Sequence, residues 1–232
     1  TEIPRDGDYH IGALMHDAMA LHRHLRGGDD AILIGHDWGG FTAVALAAHQ
    51  GSPFAKIVVL GTPVIGGLTG HRGVGLLRRL PAQARKSWYV LYNQLPGLPE
   101  RTAEKVIPRL WRDWCPPGFD ASAELEHLWA ALPDREHRRA AINYYRHQFQ
   151  PRHQHPAYRS LHYTWRREQL LSPILLLHGQ IDGGLDAALA TESAQRLPAG
   201  SRHHVIEDAG HFIHLDQPAL VHELIGDYLT TP

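Results

Sequence analysis

Cysteine is almost absent from this sequence. Its one thiol, Cys115, excludes an internal disulfide framework and suits a reducing compartment. Long apolar runs are also missing: none approaches the roughly 20 residues that span a bilayer, so no membrane span is expected. The opening stretch TEIPRDGDYH is polar and does not read as a signal peptide. A cytoplasmic location is the expectation. Excess charge of either sign is lacking too. Lys and Arg number 23 against 24 Asp and Glu, and a net charge of −1 gives no field to attract nucleic acid. A His-Glu-x-x-His helix and paired cysteines are both absent. The 19 histidines, including His22-Arg23-His24, His153-Gln154-His155 and His203-His204, are therefore read as ordinary side chains. Neither a metal nor a cofactor is expected.

What remains is a chain of 232 residues, 43% hydrophobic and 20% charged, which suffices for a packed domain. Apolar positions at Ile11, Leu14, Ala18, Leu21 and Leu25 have helical spacing, stopped by Gly27-Gly28. Strand-like runs follow at 31–35, at 56–60 (KIVVL), at 173–179 (PILLLHG) and around 203–207. Helices are expected at about 186–196 and 217–230. Apolar runs alternating with helices predict a parallel sheet covered on both faces. Between about 65 and 168 the strand signals vanish. Trp, Tyr, Arg and Pro become common, which predicts an inserted helical cap. The expected division is core 1–64, cap 65–168 and core 169–232.

The stretch Ile34-Gly35-His36-Asp37-Trp38-Gly39-Gly40 joins a strand to a helix through a tight turn. Turns of the form Gly-x-Ser-x-Gly carry a nucleophilic serine; here the central residue is Asp37. In open α/β sheets, ligands gather at the carboxyl ends of strands. Asp37, Asp182 and His211 each follow a strand, in the order nucleophile, acid, histidine. Asp182 lies nearest the end of its strand, ahead of the competing Asp186 and Asp208.

Four motifs carry a family resemblance: GHDWGG at 35–40, SWYVLYNQLPGLPE at 87–100, AINYYR at 141–146, and HGQIDG with DAGHFIHLDQP at 178–183 and 208–218. The chain resembles the α/β-hydrolase superfamily, in particular its epoxide hydrolase branch, over nearly its whole length. The resemblance implies an α/β-hydrolase fold with a helical cap. It implies Asp37 as nucleophile, His211 as the base that activates water, and Asp182 as the acid that orients His211. Tyr89 and Tyr145 are the implied cap donors to the epoxide oxygen, with Tyr92 and Tyr144 as neighbouring alternatives. Trp38, Trp88 and Tyr92 are expected beside the substrate, an apolar epoxide with water as co-substrate. A dehalogenase using the same Asp-His-Asp set is the nearest rival. A non-catalytic binding protein of the same fold is the rival from another class.

The residue types suit the chemistry. A carboxylate is ionised at neutral pH and attacks saturated carbon with no proton to lose. The opened epoxide leaves a developing alkoxide, which phenolic donors stabilise and protonate. The resulting ester places an oxyanion on the aspartate during hydrolysis, near the N–H of Trp38. One family feature is missing. Members open with several strands and a His-Gly-x-Pro loop that supplies a second oxyanion N–H, and no such loop precedes Asp37. The expectation is that the N-terminal strands are absent here. The strand bearing Asp37 would form an open sheet edge, completed by a missing N-terminal segment or a second copy in a homodimer.

Overall fold

Short apolar runs bounded by glycine and proline become the strands. In the structure, a computed structural model that describes residues 2–5, 7–65, 81–166 and 169–230, these are β1 (Ile32–His36), β2 (Lys56–Leu60), β3 (Ile174–Gly179) and β4 (Arg202–Ile206). They pair in the order β1-β2-β3-β4, all parallel. Helix α1 (Ile11–His24) precedes the sheet and α2 (Trp38–Ala47) links β1 to β2. The long connection from β2 to β3 holds α3 (Trp88–Tyr92), α4 (Leu98–Trp114), α5 (Ser122–Ala131), α6 (Arg135–Phe149) and α7 (Arg159–His162). Helix α8 (Ala187–Ala194) links β3 to β4, and α9 (Ile213–Asp216) and α10 (Pro218–Thr230) follow.

Parallel strands need crossovers, and helical crossovers cover both faces of the sheet. Ile57, Val59, Ile174 and Leu176 pack one face against Ala43, Val44 and Ala47 of α2 and Ala190 of α8. Val58, Leu60, Leu175 and Leu177 pack the other against Val221 and Tyr228 of α10. The small side chains of α2 let that helix lie close to the sheet that aims its N-terminus. β3 has a strand on each side and is buried throughout. β1 lies at an edge, and there Ile32 and Ile34 are 45% and 49% exposed.

The helical insertion is held together by a clamp that uses both cap motifs. Arg146, from AINYYR, donates to Glu100 Oε1 at 2.7 Å and to the carbonyls of Asn93 and Leu95 at 2.9 and 2.7 Å. Glu100, from GLPE, has a side chain only 1% exposed. Burial alone would raise its pKa, but the hydrogen bond and charge of Arg146 hold the carboxyl below its ordinary value. One guanidinium with three hydrogen bonds thus fixes α6 to the start of α4 and to the loop between α3 and α4. Replacing Arg146 by Met leaves the buried Glu100 carboxylate only the exposed Arg139 at 3.8 Å and should cost about 3 kcal/mol. Urea unfolding of the two proteins measures it.

Candidate active site

The turn after β1 is built around Asp37, whose φ of 51° and ψ of −116° lie where non-glycine residues are strained. Close backbone approach makes the turn possible. A β-carbon at Gly35 would overlap the Gly39 carbonyl, and one at Gly40 would meet Thr62 Oγ1 at 2.5 Å. Gly39 has open space around it, so packing does not require that glycine. The strain is held in place by three bonds. Asp37 N donates to Leu60 O at 3.3 Å, Thr62 Oγ1 donates to Asp37 O at 3.0 Å, and Phe41 N donates to Asp37 O at 3.0 Å.

The carboxyl ends of the parallel strands bring three side chains together. His211 Nδ1 lies 2.8 Å from Asp182 Oδ2, and His211 Nε2 lies 3.9 Å from Asp37 Oδ1. Asp182 is wholly buried, and its Oδ1 accepts from the N–H groups of Gly184 and Leu185 at 2.7 and 2.9 Å. Burial opposes ionisation of Asp182, yet His211, His178 and these bonds hold its pKa below the ordinary value. The competing Asp186 instead caps α8 by accepting from Ala188 N, and Asp208 is exposed in a turn with φ of 53°.

Burial would also depress His211, but Asp182 and then Asp37 raise its pKa above 6.5. Asp37 is raised as well, chiefly by burial, with His211 and the Trp38 N–H acting the other way. The fold therefore makes Asp37 a weaker acid than a free carboxylate. His36 stands beside His211 with rings 4.8 Å apart and Nε2 3.0 Å from the His211 carbonyl oxygen. Burial, then the His211 charge, lower its pKa to about 3, so it is neutral at working pH.

Two apolar cavities meet at Asp37. The larger, about 440 Å³, includes Trp38, Leu110, Trp111, Trp114, Tyr144 and Tyr145 in its wall. The smaller, about 190 Å³, is walled by Trp38, Phe41, Tyr89, Val90 and Tyr145 among others. Asp37, Trp38 and Tyr145 therefore belong to both. The rings of Tyr89 and Tyr145 meet edge to face at 5.6 Å. Burial pushes both phenols well above pH 10, with Tyr145 next in effect on Tyr89 and the Asp37 charge next on Tyr145. Both stay protonated and able to donate.

The other aromatic candidates are placed differently. Tyr92 lines the larger cavity, but its hydroxyl is hydrogen-bonded to Thr102 Oγ1. Tyr144 lines the same cavity and packs on Tyr9 with centroids 5.3 Å apart. Trp88 is absent from the walls of both cavities; its ring lies against Tyr92 and under the Arg109 guanidinium, 5.0 Å from the centroid. Cys115 is buried, and burial pushes its thiol up to about 12, which makes it inert. Among the described residues no group of three or more His, Cys, Asp or Glu is arranged to hold a metal.

A family model for the alpha/beta hydrolase fold matches residues 1–218. The chain belongs to that family. Its relatives include Epoxide hydrolase 3 of Xenopus tropicalis, 28% identical over 96% of this chain and 58% of the relative. The AB hydrolase superfamily protein YfhM of Bacillus subtilis (strain 168) is 28% identical over 95% of this chain and 73% of its own length. The alpha/beta hydrolase chain thus spans little more than half of the Xenopus relative. A solved structure among epoxide hydrolases from metagenomes of hot environments superimposes with a TM-score of 0.72 at 20% identity, covering 100% of this chain and 78% of the other. No helix among the described residues is long and apolar enough to cross a membrane.

Sequence reasoning passed over several residues that shape the site. Gln83 Nε2 donates to Gly184 O at 2.9 Å, and its Oε1 accepts from Asp186 N at 2.9 Å. Lys86 Nζ donates to Asp182 O at 2.5 Å. Side chains of the helical segment 81–86 therefore grip the loop that carries Asp182. Trp114 was likewise unmarked, although the Cys115-Pro116-Pro117 stop beside it was a visible signal.

Proposed function

We propose that this α/β hydrolase is an epoxide hydrolase that acts on apolar epoxides through an ester of Asp37. The observation that carries the reading is the meeting of an elbow carboxylate and two protonated tyrosines in apolar cavities, with His211 and Asp182 behind. Asp37 attacks one epoxide carbon, and the carbon–oxygen bond to that carbon breaks. The leaving oxygen stays attached to the substrate and takes a proton from Tyr89 or Tyr145. Water, deprotonated by His211, then attacks the ester carbonyl. The Trp38 N–H faces the oxyanion, the acyl–oxygen bond breaks, the diol oxygen leaves with the remaining proton of the attacking water, and the proton held by His211 returns to the tyrosinate, leaving Asp37 ionised. Asp182 holds His211 with Nε2 toward Asp37 and stabilises the imidazolium.

The electrostatics order the two steps. Free Asp37 raises the His211 pKa. Esterification removes that charge, which lowers the His211 pKa in the state where it acts as a base, while Asp182 still holds it up. Ester formation should fall with decreasing pH as Asp37 protonates, above the ordinary carboxylate value of 3.8. Ester hydrolysis should rise with pH through a His211 pKa lower than that of the free protein. Stopped-flow rates of the two steps across pH check both limbs.

The reading is tested by diol formation from styrene oxide in oxygen-18 water. A single turnover places the label in Asp37 and leaves the first diol unlabelled. Chloride release from a 1-chloroalkane with no diol from the epoxide favours the dehalogenase. Styrene oxide binding with neither product favours the binding protein.

A further inference from the structure

We propose that Trp114, at the end of α4, is a positioning residue that locks the cap donor Tyr89 and the base His211 into one unit. The inference rests on the epoxide hydrolase reading and adds the means by which cap and core are registered.

The last turn of a helix leaves carbonyls without intrahelical partners. Here Cys115 turns to an extended conformation, and Pro116 and Pro117 have no N–H to offer. The carbonyl of Trp114 turns to the core and accepts from His211 N at 2.8 Å. The backbone of 113–115 fits against two loops that carry glycine. A β-carbon at Gly183 would overlap the Asp113 carbonyl, and one at Gly210 would overlap the Trp114 carbonyl. Gly183 follows Asp182 and Gly210 precedes His211, so the α4 end is seated between the loops of the acid and the base.

The indole adds a second hold. It is 8% exposed, with its centroid 5.1 Å from the His211 ring at 62° and 5.0 Å from the Tyr89 ring at 63°. Such tilted pairs favour one orientation of each ring. The neutral His36 ring, 4.8 Å away, also packs on His211. The imidazole is therefore confined by packing as well as by Asp182. Misplacing a reacting group by about 1 Å can cost on the order of 100-fold in rate.

The test uses Trp114→Leu, which stays apolar but loses the aromatic edge and part of the bulk, and Trp114→Phe, which keeps an edge. Neither removes the main-chain bond to His211. Single-turnover rapid quench with styrene oxide reads ester formation and hydrolysis separately, and imidazole NMR signals report the His211 tautomer. In Trp114→Leu both steps should slow on the order of 100-fold and His211 should show a second tautomer, while Trp114→Phe stays within about tenfold of the parent. A folded Trp114→Leu protein with parent-like rates and an unchanged His211 spectrum overturns the proposal, as does a folded Trp114→Phe protein as slow as the Leu variant. If the Leu variant does not fold, Trp114→Phe decides: parent-like rates and His211 signals support the proposal, and loss of either overturns it. If the parent forms no diol, the epoxide reading fails separately. The His211 signals of the two variants then decide the positioning role alone.

Discussion

Replacing both Tyr89 and Tyr145 by Phe should stop ester formation almost completely. Proton donation to a leaving group contributes on the order of 100- to 10,000-fold, and Tyr89 and Tyr145 are the two proposed donors. Each single variant should retain part of the rate, since the remaining hydroxyl still donates. Both phenols are held protonated, by burial first. Phe preserves the 5.6 Å ring contact, so the loss reads the hydroxyls rather than the packing. The neighbours provide the control. Tyr92→Phe loses a hydroxyl bonded to Thr102, and Tyr144→Phe loses one on a ring packed against Tyr9. Both should keep parent-like ester formation in rapid-quench experiments. A double Phe variant with parent-like ester formation would remove the tyrosines from the mechanism.

The second large effect is expected at Asp182. Asp182→Asn keeps the shape of the side chain but removes the charge that raises the His211 pKa and the acceptor that fixes its Nδ1 proton. A comparable change in a Ser-His-Asp triad costs about 10,000-fold. Here the loss should fall mainly on ester hydrolysis, because Asp37 attacks without a base. The ester should therefore accumulate in the first turnover. Equal losses in both steps would indicate that Asp182 acts by supporting the fold around Gly184 and Leu185, whose N–H groups it accepts.

The parts of the site that were legible in sequence are those fixed by local chain geometry. A glycine two residues before Asp37 and another three after it report a turn too tight for side chains, and Gly35 and Gly40 meet that need in the fold. Strand ends locate Asp182 and His211 because parallel topology brings those ends to one edge. The cap was legible only as helix. Tyr89 and Tyr92 lie three residues apart on α3, and spacing alone puts both toward one side. Their surroundings differ because the Tyr92 hydroxyl is bonded to Thr102, on α4. That is a tertiary contact with no local signature. Trp88 has the composition of a site residue, but Arg109 covers its ring. The raised pKa of Asp37 comes chiefly from its burial in the folded chain, and no spacing in GHDWGG encodes it.

The most direct measurement is mass spectrometry of the His211→Gln protein after incubation with styrene oxide, with Asp37→Ala as background. His211→Gln leaves Asp37 able to attack but removes the base that hydrolyses the ester. The expected result is a stable adduct of one substrate mass, mapped to the peptide containing Asp37 and absent from Asp37→Ala. Diol formation at the parent rate with no adduct, or an adduct on another residue, would contradict it.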